Sequence, residues 1–333
     1  MTKPPPLIDS HGRVHTSLRI SVTDRCNIRC FYCMPAENVQ FRPREELLSY
    51  EEIERFASVA ARLGINRLRI TGGEPLVRNN LAGLIERLSA IAGIDDIALT
   101  TNGVLLAEQA TELKNAGLQR LNISLDTLDD GVFFKLSRRR GIDRIIAGIH
   151  HANKLGFKKI RLNAIAIKSI TEQEIVPLTK FARQHDLELR FIEFMPLDAD
   201  DQWQRQQVLT GDEIKAILET SFCKLLPVAR DDGSQPAVDF QFADGQGRIG
   251  FINPLSQPFC HNCNRIRITA EGQLRNCLFS TTEWDVRELL RNKATAAELE
   301  ALIRSCVSGK NAAHGIDSDT FIKPQRAMYQ IGG

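Results

Sequence analysis

Short runs of strictly alternating apolar and polar residues recur along the first two-thirds of the chain, with amphipathic stretches between them. Alternation with a period of two is the mark of a β-strand with one buried face. It predicts strands over 18–23, 67–71, 97–101, 120–126, 159–167 and 188–195. The intervening stretches read as helices. One starts at the capping box Ser49-x-x-Glu52 and stops before Gly64, and another starts at Thr171-x-x-Glu174. Strand–helix alternation of this kind implies an α/β fold with a parallel sheet and right-handed crossovers. Six units are fewer than the eight of a full barrel, so the expected form is an incomplete, laterally open (βα)6 barrel of TIM type.

The strands carry a second message. One face holds Leu18, Ile20, Val22, Leu68, Ile70, Leu121, Ile123 and Leu125, which suits packing beneath helices. The other holds Arg19, Ser21, Thr23, Arg69, Thr71, Asn122, Ser124, Asp126, Arg161 and Asn163. A closed eight-unit barrel fills its interior with branched apolar side chains. A polar interior is costly unless water or a ligand satisfies it. A solvent-facing strand surface would also be polar, but helices on the outside make that awkward. A ligand-filled cavity is the expectation.

Beyond Met195 the pattern changes. A polar stretch over 198–207 leads to a helix at the capping box Thr210-x-x-Glu213, and shorter strands follow, with turn signals at Asp231-Asp232-Gly233-Ser234 and Asp244-Gly245. Helices are expected over 284–291 and from the capping box Thr295-x-x-Glu298. The expected division is a barrel over 1–209, with an N-terminal arm over 1–17, and a C-terminal α+β region over 210–333.

Composition narrows the class. The 333 residues are 43% hydrophobic and 25% charged, with a net charge of +2, so no global field argues for nucleic acid and any anion must be caught locally. No apolar run approaches the length of a membrane span. Six of the eight cysteines fall in two short-spaced groups, which suits a reducing cytoplasm and metal binding better than disulfides.

The first group is Cys26, Cys30 and Cys33, spaced C-x3-C-x2-C in a loop that follows the first predicted strand. A cubane cluster has four irons, so three thiolates leave one iron open for chemistry. Structural zinc would need a fourth Cys or His at short spacing, and none lies near. The second group is Cys260, Cys263 and Cys277, spaced C-x2-C-x13-C across an expected hairpin. Here zinc, with His261 as fourth ligand, stands beside a second cluster, although His261 between two ligand cysteines is poorly placed to close the same tetrahedron. Cys223 and Cys306 have no metal-like neighbours and read as buried apolar residues.

Arginines supply the substrate clue. Arg265 and Arg267 share a face if their segment is a strand, and Arg19, Arg69 and Arg161 point into the expected cavity. Five guanidiniums, each a planar fork of donors, suit a polyanion such as a nucleoside triphosphate. The run Arg138-Arg139-Arg140 reads as a solvated loop. The chain ends in Gly332-Gly333, which could be a loose tail or could thread a site too narrow for side chains.

The first cysteine loop, with Tyr32 before its last cysteine, resembles the signature of the radical S-adenosylmethionine (SAM) superfamily. The resemblance implies that the open iron chelates the methionine moiety of SAM and that reduction releases a 5′-deoxyadenosyl radical. It implies that Tyr32 lies near the adenine and that Gly73 and Glu74, in Gly72-Gly73-Glu74-Pro75, take the amino group, with Ser124 and Met195 as further SAM contacts. Taken with Leu99-Thr100-Thr101-Asn102-Gly103, Arg190-Phe191-Ile192-Glu193-Phe194-Met195, the second triad and the terminal glycines, the chain from Leu18 onward resembles the branch that cyclises GTP in the first step of molybdenum cofactor biosynthesis.

That resemblance implies a second [4Fe-4S] cluster on Cys260, Cys263 and Cys277 whose open iron holds the guanine. It implies GTP contacts from Arg19, Arg69, Thr100, Arg161, Arg265 and Arg267, and catalytic parts for Arg19, Arg265, Arg267, Gly332 and Gly333. Relatives often have lysine where this chain has Arg161, which keeps the cation. The resemblance also implies an external electron donor, a homodimer, cyclic pyranopterin synthase downstream, and a cytoplasmic enzyme that needs neither nucleic acid nor membrane. A different two-cluster radical SAM enzyme, such as a peptide-modifying one, and a zinc-stabilised nucleic-acid-binding module are the rivals. Only 6% aromatic content weakens the latter.

Overall fold

The computed structural model describes residues 5–230, 232–319 and 321–332. Six parallel strands form its centre: β1 (Ser17–Ser21), β2 (Arg67–Thr71), β3 (Asp96–Thr101), β4 (Arg120–Ser124), β5 (Lys159–Ala166) and β6 (Glu188–Glu193). All six match the alternating runs. β1, β4 and β6 stop two residues before the alternation does, because the chain there turns over the barrel mouth. The later strands are β7 (Leu225–Pro227), β8 (Val238–Phe242), β9 (Arg248–Ile252), β10 (Arg265–Ile268), β11 (Gln273–Arg275) and β12 (Trp284–Asp285).

The twelve strands make one sheet in the order β12-β11-β10-β1-β2-β3-β4-β5-β6-β9-β8-β7. The C-terminal region therefore extends both edges of the barrel: β10 runs parallel to β1, and β9 runs parallel to β6. The sheet curls as an open barrel rather than a closed ring of eight. Register explains the layering. Leu18 pairs with Leu68, Leu68 with Ile97, Leu99 with Leu121 and Leu162 with Leu189, so apolar side chains meet across successive strands beneath the helices. These side chains are all buried, each contributing roughly 1.5–3 kcal/mol.

Helix α1 (Tyr50–Arg62) has the expected box: Ser49 accepts from Glu52 N–H, and Glu52 accepts from Ser49 N–H at 2.7 Å. The boxes at Thr210 and Thr295 form as well. The box at Thr171 does not. A short 3-10 turn precedes the helix at Ile175–Gln184, Thr171 Oγ1 donates to Ile165 O, and Glu174 accepts from Thr127 instead. Tertiary partners outbid the local cap. Trp284 lies in β12 rather than in the helix that follows, Val286–Arg291. Cys306 is buried as expected, while Cys223 is half-buried against the core. Among the described residues, no helix is long and apolar enough to cross a membrane.

Candidate active site

The polar strand faces do look inward. They line a cavity of about 420 Å³ that runs the length of the parallel strands, from Ser17, Arg67 and Arg120 at their starts to Gly72, Thr101 and Ser124 at their C-terminal ends. Both cysteine triads open onto it, as do Tyr32, Gly73, Glu74, Ser124 and Met195 and all of Arg19, Arg69, Thr100, Arg161, Arg265 and Arg267. Gly332 is not among the lining residues but accepts from Arg267, which is. Gly333 lies outside the described residues.

The first loop is held from three sides. Arg29 N–H donates to Ser137 O and Phe31 N–H to Leu136 O, at the end of the helix Asp130–Ser137. Asn102 Nδ2 reaches Cys26 Sγ at 3.7 Å and Asn27 Oδ1 at 2.7 Å. From β2, Gly73 N–H donates to Thr23 O at 2.6 Å and Glu74 N–H to Arg25 O at 2.7 Å. A Cβ on Gly72 would sit 2.7 Å from Thr23 O, so the Gly-Gly pair first serves the close approach of its own backbone to the cysteine loop.

Burial raises the loop's thiols, Cys26 to about 11 and Cys30 and Cys33 further; Glu74, Asp126 and neighbouring thiols also oppose ionisation, and Arg29 offsets only part of this at Cys26. Burial also lifts Glu74 to about 7, although its carboxylate accepts from Leu76 N, Thr101 Oγ1 and Asn102 N. The Tyr32 hydroxyl donates to Asp126, which accepts in turn from Ile165 N–H at 2.8 Å. That pair fixes the ring beside Cys30.

The second triad lies in a different field. Cys260 occupies a short turn, Cys263 precedes β10, and Cys277 follows β11 across the expected hairpin. Burial would raise Cys263, but Arg265 and Lys310 pull it down to about 6. His261 is exposed and lines no part of the cavity, which removes it as a fourth ligand facing the triad.

Between the triads lies a row of cations. Arg267, Arg19 and Arg69 stand side by side in register on β10, β1 and β2. Burial and then Arg265 push Arg19 down to about 10; burial and Arg19 push Arg69 well below its usual range. Neither Arg19 nor Arg69 has a carboxylate partner among the described residues. Arg265 stacks over Phe259, 4.9 Å from the ring centre. Arg161 differs, because its Nε donates to Glu188 at 2.8 Å. Recessed guanidiniums without counter-charge make a strong anion site.

The C-terminal tail closes the edge of this row. Arg267 Nη1 donates to Gly332 O at 3.3 Å, and Gly332 has φ +82°. A Cβ there would lie 2.7 Å from Thr71 Oγ1 and 2.8 Å from Ser21 Cβ. Only glycine fits.

The structure adds residues that the sequence reading did not assign. Arg190 on β6 is buried, pairs with Asp239 and has an Nε without a partner. Its alternation with Glu188 and Ile192 was the available signal. Asn102 lies in the Leu99–Gly103 motif but its role at the cysteine loop was not assigned, and Lys310 had no local signal, since both are placed by contacts distant in sequence.

Comparison with known proteins agrees with this geometry. The Radical SAM superfamily model matches residues 20–182 and the Molybdenum Cofactor Synthesis C model residues 187–316. Among solved structures, Streptococcus suis SuiB bound to S-adenosylmethionine shares the fold at TM-score 0.59 and 17% identity, over 87% of this chain and 68% of that one. The enzyme anSMEcpe with bound AdoMet does so at 0.59 and 13%, over 98% and 94%. Fold and cysteine loop thus define a radical SAM protein.

Curated GTP 3′,8-cyclases are similar over nearly the whole length. That of Rhodopirellula baltica is 50% identical over 100% of this chain and 94% of its own, and that of Streptomyces coelicolor 43% over 98% and 96%. That of Thermodesulfovibrio yellowstonii is 42% identical over 98% and 99%. The chain belongs to the GTP 3′,8-cyclase family.

Proposed function

We propose that this chain is a radical SAM lyase that converts GTP to (8S)-3′,8-cyclo-7,8-dihydroguanosine 5′-triphosphate, the first step of molybdenum cofactor biosynthesis. The observation that carries the reading is the uncompensated row Arg267, Arg19 and Arg69 set between two cysteine triads in one cavity.

The donor sets fit [4Fe-4S] clusters. Each triad offers three sulfurs to the cavity, and the nearby Glu74, Asp126 and His314 side chains are engaged with Thr101 and Asn102, Tyr32, and Pro254 O respectively, so three thiolates are the donor set at each site. Cys26, Cys30 and Cys33 would hold the first cluster, and Cys260, Cys263 and Cys277 the second. A cluster carrying SAM supplies, when bound, a carbon radical able to take a hydrogen atom from ribose.

The protein's own part is binding, orientation and exclusion of water. Arg19, Arg69, Arg265 and Arg267 bind the triphosphate, while Arg161 and Thr100 face the ribose end. Tyr32, Ser124 and Met195 shape the SAM pocket, and Gly73 and Glu74 take its ammonium group. An arriving ammonium holds Glu74 ionised, against the burial that otherwise raises it. Gly332 fills the gap beside Arg267 where a side chain would collide. Arg19, Arg265, Arg267 and the two glycines are thus the catalytic set. Residues 1–209 form the SAM barrel and 210–333 the substrate region. On the same family reading, an external donor supplies the electrons, the enzyme works in the cytoplasm as a homodimer, and cyclic pyranopterin synthase takes the product.

Anaerobic incubation of reconstituted enzyme with SAM, reductant and GTP, followed by product identification, tests this. The cyclised triphosphate is expected. Cleavage of SAM with GTP returned intact would point to another substrate, and stoichiometric zinc after anaerobic preparation would exclude the radical reading. Deleting Gly332 and Gly333 should abolish cyclisation with iron content unchanged.

A further inference from the structure

Two buried cations outside the triphosphate row converge on the second cysteine triad. Lys310 follows the helix Ala296–Ser308, and only 4% of it is exposed. Its ammonium donates to Arg265 O at 2.7 Å and Asn276 O at 2.5 Å, the carbonyls just after Cys263 and just before Cys277. Arg13, on the N-terminal arm, is buried too. It donates to Cys260 O at 2.8 Å, Ala312 O at 2.9 Å and Asn311 O at 2.7 Å. Its Nε is held by Asp9 at 2.6 Å.

The three triad segments are therefore tied to one short stretch, 310–312, by two side chains from distant parts of the chain. Further bonds reinforce the bracket. Asn264 Nδ2 donates to Thr16 Oγ1 at 2.8 Å, and Asn276 Nδ2 donates to Cys306 O at 2.9 Å.

The charge balance shows what the bracket is for. Arg13 has a carboxylate partner in Asp9, whereas Lys310 has none among the described residues. A buried ammonium with only carbonyls for company is costly unless an anion stands close by. The groups facing it are the sulfurs of Cys260, Cys263, Cys277 and Cys306, Arg265, and the neutral ring of His15. Among the described residues, sulfur is thus the only source of counter-charge facing Lys310.

We propose that Lys310 and Arg13 are positioning residues for the second iron–sulfur centre. Arg13 fixes the Cys260 turn, and Lys310 spaces Cys263 from Cys277 while supplying the positive charge that an anionic cluster requires. The N-terminal arm accordingly serves the C-terminal centre rather than the first loop. This rests on the two-cluster reading.

Four variants, K310Q, K310R, R13Q and C260S, test it after anaerobic reconstitution, with iron per chain, the spectroscopic signature of each centre and its reduction midpoint as readouts. Wild type should hold about eight irons. C260S should hold about four, and its retention of eight would sink the two-cluster reading itself. With that control in place, K310Q should fall toward about four irons or show a lower midpoint at the second centre only. K310R should recover most of the loss, and R13Q should weaken the second centre while sparing the first. K310Q and R13Q with full iron and an unmoved second midpoint would overturn the bracket. Should K310Q lose both centres, K310R decides: recovery supports the proposal, and an equal loss overturns it.

Discussion

The two cysteine triads solve opposite problems. Cys26, Cys30 and Cys33 come from one continuous loop, and burial beside Glu74 and Asp126 keeps their thiols protonated in the absence of metal. Cys260, Cys263 and Cys277 come from a hairpin pinned by distant residues, and the cations around them bring Cys263 down to about 6 against the upward push of burial. The first site gathers its three ligands from one loop and is unfavourable for charge. The second is favourable for charge but depends on tertiary contacts for its shape. A site poised to accept anionic sulfur can also accept an anionic substrate beside it, which fits the triphosphate row running from β10 to β2.

Breaking each triad in turn gives the largest effect. Cys30→Ser should abolish SAM cleavage and cyclisation together, by at least about 10³-fold. Cys260→Ser should lose cyclisation to a similar degree while still forming 5′-deoxyadenosine. If both variants lost SAM cleavage equally, the division of labour would be wrong.

The thiols themselves offer the next contrast. In metal-free protein near neutral pH, iodoacetamide should label Cys263 on the order of 100-fold faster than Cys26, because its thiolate fraction is far higher. Peptide mapping by mass spectrometry over time would show the order.

Glu74 sharpens the electrostatic difference. Its folded value of about 7 stands above the usual 4.5, so the folded state prefers the protonated form. The associated stability is fully present below pH 4.5 and is lost as pH rises through 7. Across that window the ligand-free protein should lose about 3 kcal/mol from this source. Glu74→Gln should flatten that slope in denaturant titrations, and an unchanged slope would assign it elsewhere.

The smallest effect separates binding from folding in the cationic row. Arg69→Gln should raise KM for GTP about 10-fold, consistent with loss of one charge-assisted contact. It should leave SAM cleavage alone and raise the melting temperature, since Arg69 is crowded by Arg19, Arg120 and Arg161. A lowered melting temperature would show that the row supports the fold rather than the ligand.

Much of this was legible in local sequence. The period-two alternation gave all six central strands and the inward polar faces, because side-chain direction in a strand is fixed by position alone. The Cys26–Cys33 loop was readable for a related reason: its three ligands lie within eight residues, so no other part of the chain is needed to bring them together. The box at Thr171 misled, because Glu174 found a better partner in Thr127, across the fold. The Gly-Gly pair after β2 was recognisable as a motif, but its packing against Thr23 was not.

What the chain determined by itself was the set of strands, the first cysteine loop and the supply of cations, all properties of short-range order. Tertiary structure alone decided that β9 and β10 extend opposite edges of the barrel and that Arg267, Arg19 and Arg69 stand abreast. It also decided that Arg13 and Lys310, from opposite ends of the chain, meet at the second triad. Register and long-range contacts depend on which surfaces pack together, and a residue's neighbours along the chain carry little of that information.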